Sequence, residues 1–94
     1  MTHDAAFYFA NLGADVSRCI SAVKQGNEAR YRDSLSRAYR TLEELHKTAR
    51  PEAYEEGLLM LRGLALARTT PETLTSFQTS LDSLISVFSA RIIA

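Results

Sequence analysis

Four successive stretches of this chain set apolar residues at alternating steps of three and four, and a glycine or proline closes each of the first three. An α-helix turns 100° per residue, so those steps return to one face. The pattern therefore demands four amphipathic helices and leaves no room for a sheet. In the first stretch the stripe is Ala5, Phe9, Leu12, Val16, Cys19 and Val23, opened by Asp4 as an N-cap and ended by Gly26. Glycine takes the left-handed C-terminal conformation without a Cβ clash, and Asn27 is placed to cap the next helix. The second stripe is Tyr31, Leu35, Ala38, Leu42, Leu45 and Ala49, stopped by Pro51, which pushes the residue before it out of the α region.

The third stripe reads Tyr54, Leu58, Leu61, Ala65 and Arg68, with Gly57 and Leu64 beside it, after Glu52, Glu55 and Glu56 at the positive end of the helix dipole. Gly57 on this side predicts a close approach by another helix. The fourth opens with Thr70-Pro71-Glu72. There the Thr70 hydroxyl is placed to accept from a first-turn N–H, and Pro71 stands where its missing N–H costs nothing. Leu74, Phe77, Leu81, Leu84 and Phe88 follow, widened by Ile85 and Ile92. The expected helices are 4–24, 28–48, 51–68 and 71–92, each roughly 27–33 Å long at 1.5 Å per residue. Connections of two to four residues make consecutive helices antiparallel neighbours. The predicted fold is all-α: one domain, residues 1–94, an up-down-up-down antiparallel four-helix bundle.

Composition narrows the function more by exclusion than by indication. Eleven basic residues balance eleven acidic ones, so the net charge is zero and favours neither nucleic acid nor an anionic membrane. Residues 18–50 carry a basic surplus of four, which the two ends cancel. The single Cys19 rules out an internal disulfide, and with only His3 and His46 beside it a zinc site is not expected. No run approaches membrane-spanning length, and the apolar run Ala5–Ala10 lacks the basic flank of a signal peptide. The expectation is a soluble, reduced, cytoplasmic protein, complete from Met1.

Helix 2 has the back of a solvated helix: Arg30, Asp33, Arg37, Arg40, Glu44 and Lys47, with Asp33–Arg37, Arg40–Glu44 and Glu43–Lys47 at ion-pairing spacing. Helices 3 and 4 do not. From Leu58 to Ala67, Arg62 is the only charge, and Leu59, Gly63 and Leu66 face away from Leu61, with Met60 and Ala67 at the margin. A helix that is apolar all round is normally buried all round. The back of helix 4 is small and uncharged: Ser76, Thr79, Ser83, Ser86, Val87 and Ala90. Depletion of charge marks the core of an interface, and small residues allow close approach. These residues predict a homodimer through helices 3 and 4, with room for a further protein partner. Phe7, off the core stripe, is a weaker hint of the same kind.

Chemistry is less well served. Glu43-x-x-His46 has the carboxylate–imidazole spacing of a bundle di-metal site, but the inward Glu residues that such a site takes from other helices are lacking. Arg40 and His46 lie six positions apart, which does not put them on one face to grip a phosphate. Cys19 on the core stripe reads as a small buried hydrophobe, and Asp15 as a boundary ion pair with Arg18. No catalytic residue, metal ligand or cofactor is assigned. The leading expectation is a non-enzymatic protein acting by self-association. The alternatives are a bundle enzyme or metal- or RNA-binding module using His46 with Glu43 or Arg40, and a small-ligand cavity near Gly57 and Cys19.

Overall fold

The computed structural model describes the backbone of residues 3–93 and the side chains of residues 3–70 and 72–86. Its elements are α1 (Ala5–Lys24), α2 (Glu28–His46), α3 (Pro51–Thr69) and α4 (Pro71–Ile93), with no strand among the described residues. They pack as a four-helix bundle.

The local punctuation accounts for most boundaries. Asp4 caps α1 through a 2.9 Å bond from the Phe7 N–H, and Asn27 caps α2 through a 3.0 Å bond from the Arg30 N–H. Gly26 sits at φ +68°, where only glycine is unstrained. The first turn of α4 closes on the Thr70 carbonyl, which accepts from the Thr73 N–H at 2.9 Å and the Thr73 hydroxyl at 2.8 Å.

One boundary differs from the pattern. Helix α2 stops at His46 instead of running to Thr48, because Ala49 takes φ 58° and turns the chain before Pro51 is reached. The turn is held locally, by the Thr48 hydroxyl donating to the Leu45 carbonyl at 2.7 Å.

Helix α1 is the centre of the bundle and packs on all three others, whereas α2 and α4 do not touch among the described residues. Two glycines show why. A Cβ on Gly57 of α3 would lie 2.8 Å from Leu12 Cδ2 of α1 and 2.9 Å from Leu42 Cδ1 of α2, so α3 nests into the α1–α2 groove. Gly13 of α1 leaves room for Ile85 of α4 in the same way. Bringing α1 and α3 together spreads the other diagonal, and the molecule is flattened to 36 × 23 × 15 Å. Phe9, Leu12, Val16, Cys19, Ile20, Leu45 and Leu64 are fully buried at the middle. Burying each of the larger aliphatic or aromatic side chains contributes about 1.5–3 kcal/mol.

The stripe of α3 is rotated from the one its spacing suggested. The buried line is Ala53, Gly57, Met60, Leu64 and Ala67, with Leu61 at its edge, while Tyr54 and Leu58 are half-buried and Ala65 is exposed. An all-round apolar segment cannot choose its own inner face. Here the face carrying Gly57 turns inward, where the missing Cβ admits the Leu12 and Leu42 tips.

Ion pairing also departs from expectation. None of Asp33–Arg37, Arg40–Glu44 or Glu43–Lys47 closes among the described residues, and Lys47 binds Glu44 at 3.1 Å instead. Such exposed pairs are worth little, so small differences in rotamer decide them. Arg68 leaves the α3 stripe for α2, pairing with Glu28 and lying 4.0 Å over the Tyr31 ring. Asp15 is buried rather than at the boundary: it accepts from Arg18 at 2.9 Å and from the Thr41 hydroxyl at 3.0 Å, tying α1 to α2.

Candidate protein interface

The outward side of α3 carries two large apolar side chains that the bundle does not cover. Leu59 is 53% exposed and Leu66 is 73% exposed. They stand seven residues apart, about 10 Å along one face of the helix. Between them lies Gly63, and the Phe77 ring of α4 packs close against its backbone: an added Cβ there would come within 2.5 Å of Phe77 Cε1. This contact draws α3 and α4 together and leaves a shallow groove of about 480 Å³ along their seam. Leu66, Gly63 and Ala67 line one wall, and Thr73, Ser76, Phe77 and Ser80 the other.

The expected interface residues therefore separate into groups. Leu59, Leu66, Ser76, Thr79, Ser83 and Ser86 are exposed, and Gly63 is half-buried beneath Phe77. Met60, 2% exposed, and Ala67, 4% exposed, belong to the bundle's own interior, a consequence of the α3 rotation. Val87 lies outside the described side chains. Leu66 and Ser76 share the groove; Thr79, Ser83 and Ser86 lie further around α4. Thr73 and Ser80 are groove residues that sequence reasoning passed over, because on a helical wheel they flank Phe77 rather than the middle of the small-residue back. Glu55 lies beside Leu59 and Arg62 stands between the two leucines, so the uncharged surface extends from Leu66 toward α4.

Of the groups weighed for chemistry, Glu43 and His46 border one depression, and Arg40 lies apart from them. His46 is exposed and stacks on Tyr54 of α3, centroids 4.2 Å apart, whereas Arg40 opens onto the α1–α2 groove with Arg18 and Arg37. The two lie on different seams, as their spacing required. Among the described residues, no three His, Cys, Asp or Glu side chains are grouped to hold a metal. Cys19 is fully buried, and burial, reinforced by the charge of Asp15, pushes its thiol up to about 11. At Gly57 the place of a Cβ is taken by the Leu12, Leu42 and Leu45 side chains. Phe7 is 43% exposed and stacks on His3, 3.7 Å between centroids. None of the described helices is long and apolar enough to cross a membrane.

Comparison of the chain with protein-family models, with curated proteins and with solved structures returned no match, so its functional reading rests on this geometry.

Proposed function

We propose that this chain is a non-enzymatic helical-bundle protein that acts by association, forming a homodimer through the outer face of α3 and the adjoining side of α4. The observation that carries this reading is Leu66. Leu66, 73% exposed at the edge of a groove lined mostly by small, uncharged residues, stands on the same face of α3 as Leu59, 53% exposed, so the two form an apolar patch rather than one isolated surface leucine. The patch contains both a projecting side chain and a groove to receive one, so a twofold axis can satisfy both copies at once. A net charge of zero leaves little repulsion between copies.

Met60, committed to the interior, is not part of this interface, and Ala67, largely buried, contributes only to the wall of the groove; Leu59, Gly63, Leu66, Ser76 and the exposed Thr79, Ser83 and Ser86 make up the rest. Up-down-up-down topology fits the side chains that meet. Arg68 near the end of α3 reaches Glu28 at the start of α2, and Lys24 at the end of α1 bonds Gln78 of α4 at 2.8 Å. A reducing, cytoplasmic setting suits the single buried thiol. The test is the oligomeric state of the purified protein by sedimentation equilibrium at micromolar concentration. A dimer that Leu66→Glu dissociates is expected, and a monomer at every concentration overturns the proposal.

A further inference from the structure

We propose that the depression between Tyr39 of α2 and the His46–Tyr54 stack is a binding site for an alkylated ammonium group. The site is separate from the α3–α4 face and does not depend on self-association. Tyr39, Glu43 and His46 follow one stripe of α2, and Tyr54 is supplied by α3. Together with Leu42 they line an open depression of about 380 Å³. Tyr39 is 54% exposed, a large ring surface left to solvent. At the other end, the His46 and Tyr54 rings are stacked 4.2 Å apart and within 24° of parallel, which fixes both planes.

Glu43 lies between the two ring systems. Lys47, the cation at the right spacing to neutralise it, is bound to Glu44, and Glu43 makes no ion pair among the described residues. Lys47 acts on Glu43 only at longer range, so a carboxylate without a direct ion pair borders the rings of Tyr39, His46 and Tyr54 and selects charge and shape together. Ring faces carry negative potential and attract a cation seated within about 6 Å of the centroid. Tyr39 and His46 are seven residues apart, about 10 Å along one face of the helix, and both border the same depression. An anion would be repelled by Glu43. A primary ammonium prefers its own water to an open aromatic site, whereas a methylated ammonium is weakly hydrated and covers ring surface with its methyl groups. The protein already uses this chemistry internally, where the Arg68 guanidinium lies over Tyr31.

Choline is the probe, titrated into the full chain and followed by the aromatic and backbone NMR signals. Saturable shifts in the millimolar range are expected, confined to Tyr39, Glu43, His46 and Tyr54. Tyr39→Ala is expected to weaken binding about tenfold and Glu43→Gln about fivefold. Both positions are exposed, so both variants keep the fold, which circular dichroism verifies. Phosphocholine and trimethyl-lysine, compared in parallel, separate a headgroup from a modified peptide as the natural source; the tighter binder names it. The proposal is overturned if choline gives no saturable shift, if neohexanol, its uncharged carbon isostere, binds equally well, or if neither substitution weakens binding.

Discussion

Leu66→Glu is the substitution on which the reading of the α3–α4 face stands. Complete burial of a leucine side chain contributes about 1.5–3 kcal/mol. With 73% of Leu66 still exposed in the single chain, a partner has about 1–2 kcal/mol left to gain from covering it. A twofold interface counts that residue twice, so removing it costs about 2–4 kcal/mol. Placing a carboxylate in the same spot adds a desolvation penalty. At 1.4 kcal/mol per decade, Kd is expected to rise by at least about a hundredfold, moving a micromolar dimer to a monomer under the same conditions.

The same exposure fixes what must not change. An exposed leucine contributes little to the fold of the single chain, so thermal unfolding of the monomeric species should shift by no more than about 0.5 kcal/mol. Sedimentation equilibrium over a concentration series measures the first quantity, and circular dichroism melting in dilute solution the second. Ser36→Glu, on the exposed back of α2, is the control and should leave association unaltered. If Leu66→Glu sediments as the unsubstituted protein does, the exposed leucine is not at an interface. If it unfolds the chain, Leu66 is more deeply involved in the bundle than its exposure allows.

The remaining expectations concern the fold itself. Gly57→Val should lower stability by about 2 kcal/mol or more in urea unfolding, because the new side chain drives into Leu12 and Leu42 in a packed interior. Ala49→Gly should raise stability by about 0.5–1 kcal/mol, since it relieves a left-handed alanine in the α2–α3 turn; an unchanged or lower urea midpoint would mean the turn is not strained. Cys19 sets an alkaline limit. Its thiol, held at about 11 in the folded chain, ionises near its ordinary value of 9.0 once unfolded, so its contribution is complete below pH 9 and is lost as pH rises through 11. The loss is roughly 2–3 kcal/mol. Cys19→Ala should flatten the stability profile across that interval, and an identical slope in both proteins would remove Cys19 as its cause.

What the residue pattern settles without a structure is local. Asp4, Gly26, Asn27 and Pro51 act within a turn of their own position, through caps, positive φ and the restriction before proline, so helix ends follow from them to within a residue or two. The stripe of α2 was legible because charged residues occupy its other face, and that of α1 because its large apolar residues recur on one side, although burial there spreads to Gly13, Asp15, Ile20 and Ala22. The exposure of Leu59 and Leu66 was legible for a related reason: α3 holds more apolar surface than one bundle side can cover.

Tertiary packing decided everything that depends on which of several similar choices is used. Helix α3 had no polar back to orient it, and its rotation, which takes Met60 and Ala67 inward, was set when Gly57 admitted side chains from α1 and α2. Asp15 became a buried link because Thr41 of another helix met it. Lys47 took Glu44 and left Glu43 among aromatic rings, a preference between two adjacent carboxylates that no spacing rule distinguishes. Caps and breakers act through bonds a few residues long and can be read in one dimension. Burial, ring stacking and the choice of ion-pair partner depend on neighbours far away in the chain, and those exist only once the helices have met.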